Sequence, residues 1–266
     1  MGAAESAAVG RPAGSPEPSD PSVTTRERLL LAAERLIADD GLAGVSLRRI
    51  NAAAGQRNAS AVHYHFGSLE AVIAAIFEYR MPAIDRRRNE LLDEVVAAGR
   101  AGSLEAVVQA VVRSIAEQIT TRAGGSPYIR FVAAASLAPS LDSWGVIPYR
   151  YRRGLRRAYA MCARILSDMP GEIVHARLIL AARQIVQTLA DVDRVVIERH
   201  PDLRDELVRF HACDLVSRTV GALSAPVSDA TGDALRALKA RMAAGRTSDF
   251  GVDAVLGPPP DAPPRG

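Results

Sequence analysis

The chain has 266 residues, enough for one or two domains with a real hydrophobic core. Apolar residues make up 48% and aromatics only 5%, with Ala, Leu and Val dominant, a balance that favours helices over sheets. The net charge of +3 is too mild to establish a nucleic-acid partner by itself, and no apolar run reaches the roughly 18 residues of a membrane span.

Residues 1–22, rich in Ala, Gly, Ser and Pro, read as a disordered tail without the pattern of a secretory signal. Thr24-Thr25-Arg26-Glu27 has capping-box spacing, and Leu29, Leu30, Ala33, Leu36 and Ile37 then recur at helical intervals up to Gly41. Ser46 is a good N-cap for a second helix whose Leu47 and Ile50 face inward and which Gly55 closes. A third, short helix is predicted from Asn58 to Tyr64. From Gly41 to Leu69 there is no Asp or Glu. A surface that lies against phosphates must avoid carboxylates, so this helix-turn-helix reads as a DNA-binding head over residues 23–67.

Within it, Arg57, Asn58, Ser60 and His63 fall on the face that would enter the major groove. Asn can read adenine, Arg guanine, and Ser or His either. Arg48 could reach a phosphate or a base. An isolated arginine on a helix is ordinarily a solvated charge, but three within an acid-free helical pair argue for a binding face. His63 and His65 are two residues apart, on different faces of a helix, so no metal is expected there.

The head resembles the TetR family of transcriptional regulators from about Thr25 to Ile76. The resemblance rests on Val45-Ser46-Leu47-Arg48-Arg49-Ile50, Ala54-Gly55 and Val62-His63-Tyr64-His65-Phe66-Gly67-Ser68. It implies that Ser46, Tyr64 and His65 contact phosphates, while Val62 and Phe66 belong to the core. The segment from Gly55 to Tyr64 is one residue longer than in many members. Leu69 stands where members often carry a phosphate-binding Lys, which implies a weaker contact at the start of the fourth helix.

Residues 68–222 read as a helical regulatory and dimerisation domain. The fourth helix begins at Ser68 and should kink or break at Pro82. A fifth begins at Ser103, a sixth at Ser126-Pro127, and a seventh should run from about Pro148 to Ser167. Two long helices follow, from about Glu172 to Arg199 and from Pro201 to Val220. The first has an apolar stripe wider than one packing partner needs, so Ile185, Leu189, Val192 and Val196, with Phe210 of the second, are candidates for a homodimer interface. Residues 223–266 hold one more helix, from about Thr231 to Ala244, and a Pro-rich ending. The whole is an all-α protein.

A ligand pocket lined by Tyr128, Phe131, Trp144, Tyr151 and Tyr159 is expected between the middle helices. The arginines at 150, 152, 153, 156 and 157 suit either an anionic ligand or, more simply, a solvated face. Cys162 and Cys213, without a CxxC partner, read as buried thiols in the reducing cytoplasm. No cofactor is expected, and no GxSxG, HExxH or phosphate-cradling loop points to an enzyme. The expected function is that of a homodimeric repressor on palindromic operator DNA, released by a small molecule. The alternative is a DNA-binding regulator governed by a protein partner or by concentration alone.

Overall fold

The computed structural model describes residues 24–58, 60–120, 127–136 and 152–245. Among the described residues every regular element is helical: α1 (Thr25–Asp40), α2 (Leu47–Ala53), α3 (Ala61–Phe66), α4 (Leu69–Ala97), α5 (Leu104–Thr120), α6 (Tyr128–Ser136), α7 (Arg153–Ile165), α8 (Gly171–Arg199), α9 (Arg204–Ser224) and α10 (Asp229–Gly245). Single 3-10 turns precede α2 and α9. No described helix is long and apolar enough to cross a membrane.

The capping box forms as the sequence dictates. Thr24 Oγ1 accepts the Glu27 amide at 3.2 Å, and the Glu27 carboxylate accepts the Thr24 amide at 2.9 Å. Gly41 ends α1 with φ 70° and ψ 171°, a backbone open to glycine alone. Leu29, Leu30, Ala33 and Ile37 are then buried against Ile50, Val62, Val72 and Ile76.

Pro82 does not break the fourth helix as expected: α4 is continuous over 29 residues, about 43 Å at the helical rise. Proline removes one donor from the ladder, but tertiary packing secures both sides of it. Phe77, Met81 and Ile84 are buried in the head's core, while Leu91 and Leu92 are buried in the body's. The head's core also takes in Tyr128 and Phe131 of α6, which lies along α1. Head and body are therefore joined by packed side chains on two helices.

Ion pairs reinforce that joint. Arg80 of α4 donates to Glu34 of α1 from Nε at 2.9 Å and from a terminal nitrogen at 2.6 Å. Arg130 of α6 bonds Asp39 of α1 at 2.6 Å and Asp193 of α8 at 3.0 Å. Burial raises the Asp193 carboxyl above its usual range, against the opposing pull of Arg130 and Arg204.

The body's core is built from the second half of α4 together with α5, α7, α8 and α9. The first turn of α7 is seated on α4, where the Gly154 amide donates to Asp85 Oδ1 at 2.8 Å. A Cβ at Gly154 would stand 3.0 Å from Asn89 Nδ2 and 3.1 Å from that same carboxylate oxygen, so the close approach needs glycine. α10 packs little against the rest, with Lys239 bonded to Glu172 at 2.5 Å.

Several expectations are corrected here. Ile185, Leu189 and Val192 are buried in the protomer's own core, because α9 and α6 lie across that face of α8. The side chain of Val196 lies outside the described residues. Phe210 is on the surface, 65% exposed, as are Leu180 and Val195 of α8. Cys162 is buried but Cys213 is exposed. The basic run on α7 is not a wholly solvated face: Arg152 is buried, and Arg157 reaches Asp93 of α4 at 2.5 Å.

Candidate nucleic-acid interface

α2 and α3 are held at their angle by one residue that motif reading passed over. Asn51 of α2 is buried, and its Oδ1 accepts the amide of Val62 in the first turn of α3 at 3.1 Å. That amide has no partner within its own helix. The signal in the sequence was a polar residue on the inward face, next to Ile50.

The third helix starts later than its composition suggests, at Ala61 rather than Asn58. Asn58 makes a turn instead: its Oδ1 accepts the Ser60 amide at 2.9 Å, and its carbonyl accepts the Ala61 amide at 3.2 Å. The Asn58 carboxamide oxygen is thus engaged in shaping the entry to α3, which leaves its amide hydrogens as the free part of the side chain among the described residues. Ser60 is the residue before the helix, and its side chain makes no capping bond.

At the other end, His63 Nδ1–H donates to the Gly67 carbonyl at 2.9 Å, which fixes the ring and leaves Nε2 facing away. Gly67 has φ 80°, the turn that redirects the chain from α3 into α4. Tyr64 is 85% exposed, an unusual position for an aromatic ring, and it meets His65 edge to face at 5.2 Å. Val62 is fully buried, and Phe66 is half-buried beneath the Arg26 guanidinium, 5.0 Å from its ring centre. The part of the ridge that faces outward is therefore Arg57, Asn58, Ser60, His63, Tyr64 and His65, all exposed.

Beside it, Ser46 caps α2 by accepting the Arg49 amide at 3.3 Å. Arg49 is drawn back to Asp40 at 2.7 Å and to the Gly44 carbonyl, so it braces the turn before α2. Arg48 and Arg57 are exposed and have no partner among the described residues. The two guanidinium groups open to an anion on this face are those of Arg48 and Arg57.

The start of α4 is altered by a carboxylate. Ser68 accepts the Ala71 amide at 3.2 Å. The Glu70 carboxylate is held below its usual range by its own backbone amide and by the Ser68 hydroxyl. Glu70 thus places its negative charge at the N-terminus of α4, where the helix dipole favours it.

Among the described residues, Tyr128, Phe131 and Tyr159 of the expected aromatic pocket are not brought together. Tyr128 and Phe131 stack on each other with ring centres 5.9 Å apart, sealed in the core beneath Phe77. Tyr159 is elsewhere, sharing a hydrogen bond with His175 at 3.0 Å. Trp144 and Tyr151 lie outside the described residues. Among the described residues no group of three or more His, Cys, Asp or Glu could hold a metal ion.

No curated protein matches the chain. Among solved structures, a transcriptional regulator from Rhodococcus sp. Rha1 aligns at 19% identity with a TM-score of 0.45, covering 76% of this chain and 100% of that one. The TetR family transcriptional regulator PfmR from Thermus thermophilus aligns at 20% identity with a TM-score of 0.42, covering 74% of this chain and 97% of its own. Residues 29–76, the span of the head from α1 into α4, match the family described as bacterial regulatory proteins, tetR family.

Proposed function

We propose that the protein is a homodimeric transcriptional repressor that binds a palindromic operator and is released from it by a small molecule. The observation that carries this reading is the outward ridge of α3 and its approach, with Arg57, His63, Tyr64 and His65 exposed in a stretch without a single carboxylate. Arg57, the Asn58 amide and His63 Nε2 are the base-reading groups; Ser46, Arg48, Tyr64 and His65 bear on phosphates.

One six-residue helix contacts few base pairs, so a second copy of the head is needed for useful selectivity. A two-fold dimer presents two such helices to successive major grooves about 34–36 Å apart. The exposed apolar side chains of α8 and α9, Leu180, Val195 and Phe210, support pairing through these helices. An effector acts by favouring one arrangement of the body, and the buried contacts of α4 and α6 with α1 carry that preference to the head.

Selection of bound duplexes from a random pool, followed by gel-shift titration at several salt concentrations, tests this reading. It predicts two-fold symmetric sites and binding that falls steeply with salt. Recovery of asymmetric or random sequences would sink the operator reading.

A further inference from the structure

The interior of the body holds a better ligand chamber than its aromatic residues do. Between α5, α7, α8 and α9 lies a cavity of about 60 Å³ whose walls are chiefly Val111, Leu155, Ala158, Ile179 and Ile185. Among its described lining residues none is charged, and the polar groups are the Tyr159 phenol, the Cys162 thiol and the Thr219 hydroxyl. The phenol is already engaged by His175. The thiol is buried, which pushes it up to about 12 and keeps it neutral.

Thr219 is the group left over. It is 1% exposed, and its Oγ1 has no hydrogen-bond partner among the described residues. A threonine within a helix ordinarily bonds back to a carbonyl one turn earlier, and this one does not. A buried hydroxyl without a partner is costly, and that cost is recovered when a ligand supplies the missing bond.

We propose, building on the reading of the chain as an effector-controlled regulator, that this chamber is the effector site. Its ligand is an uncharged, mostly hydrocarbon molecule with one hydroxyl or carbonyl oxygen that bonds Thr219. A charged ligand would lie among aliphatic walls without a counter-charge. A second polar group would find no partner there, whereas a pure hydrocarbon would leave the Thr219 hydroxyl as it is.

The same wall has a mechanical output. Leu155, Ala158, Tyr159 and Cys162 all belong to α7, whose first turn is bonded to Asp85 of α4 and whose Arg157 is bonded to Asp93. A ligand that displaces α7 loads α4 directly, and α4 enters the head at the Arg80–Glu34 pair.

Calorimetric titration of the full chain with cyclohexanol, cyclohexane and cyclohexanecarboxylate tests the site. Cyclohexanol is expected to bind saturably and the carboxylate not to bind. Thr219→Val, which keeps the shape and removes the hydroxyl, should weaken cyclohexanol about tenfold and leave cyclohexane nearly unchanged. Ala158→Leu, which fills the chamber, should abolish binding of both. Because a leucine there strains the core, a second readout is the alkylation rate of Cys162 in a Cys213→Ala chain, which cyclohexanol should slow.

Equal affinity of cyclohexanol for the parent and Thr219→Val chains, unslowed alkylation, or preferential binding of the carboxylate overturns the proposal. If cyclohexanol binds as stated yet leaves affinity for duplex DNA unchanged, the ligand chemistry is upheld and control of DNA through this site is overturned. If another compound releases the DNA while cyclohexanol does not bind, the effector reading stands and this chamber is not its site.

Discussion

Arg80 grips Glu34 through two parallel hydrogen bonds at 2.9 and 2.6 Å, and both side chains are buried where α4 crosses α1. Such a pair gains less over an apolar replacement than its geometry suggests, because both ions lost their water. Its rigidity is another matter: a bidentate Arg–carboxylate fixes orientation as well as distance. We expect Glu34→Gln or Arg80→Met alone to destabilise the protein by about 3–5 kcal/mol, because each strands the other ion. The double variant Glu34→Leu with Arg80→Met should recover much of that loss. Urea denaturation of the three chains measures it, and a double variant no better than either single one contradicts this account.

Asn51 should matter out of proportion to its size. Asn51→Ala removes the acceptor for the buried Val62 amide, at a cost of about 1–3 kcal/mol. DNA affinity should fall further than stability does, since α3 loses its alignment while the rest of the fold persists. Comparing the denaturation midpoint with the gel-shift midpoint separates the two effects.

The division between reading and anchoring groups makes opposite predictions. Arg57→Ala or His63→Ala should relax base preference by about 1–3 kcal/mol at the affected position. Tyr64→Phe or His65→Ala should weaken binding to all duplexes alike. Arg48→Ala should lower the slope of log affinity against log salt by about 1. If Arg57→Ala and His63→Ala both kept full operator preference in a competition gel-shift, the reading face would lie elsewhere.

The head was legible in the sequence because its signals are local. The Thr24–Glu27 box, the Ser46 cap and the turns at Gly41, Gly55 and Gly67 each depend on residues a few positions apart. The start of α3 was misplaced because Asn58 competes with the helix through its own side chain. The continuity of α4 could not be read, since what overrides Pro82 is packing against α1, α5, α6 and α7. The same holds for α8. Its wide apolar stripe shows that more than one neighbour is present, but not whether the neighbours belong to the same chain. Ile185 and Leu189 face α5, α6 and α9 rather than a second copy.

Of the candidates with described side chains, that correction leaves Phe210, which is exposed. On the dimeric reading proposed above, Phe210→Asp should give a monomer in light scattering while the helical circular dichroism spectrum stays unchanged. Val192→Asp places a carboxylate in the protomer's own core, so it should unfold the chain instead. A folded monomer from Val192→Asp would restore the original assignment of the stripe.

Acid should weaken the start of α1. The Thr24 amide, and after it the Thr24 hydroxyl, hold the Glu27 carboxylate below its usual range. A carboxylate depressed in the folded state adds stability above its unfolded value and loses it as pH falls through the folded one. Glu27→Gln should therefore lower the thermal midpoint at pH 6 and have a smaller effect at pH 3. An equal effect at both values would mean that the charge at position 27 has no part in capping.

The ion pair between Lys239 and Glu172 involves the sole lysine of the chain, far along the sequence from the head. The fixed positive charge offered to DNA thus comes entirely from guanidinium groups, which neither lose their proton in the physiological range nor accept an acetyl group as an amine does. Enzymes that silence lysine charges have nothing to modify on this ridge. In the function proposed above, its hold on a duplex answers to ionic strength.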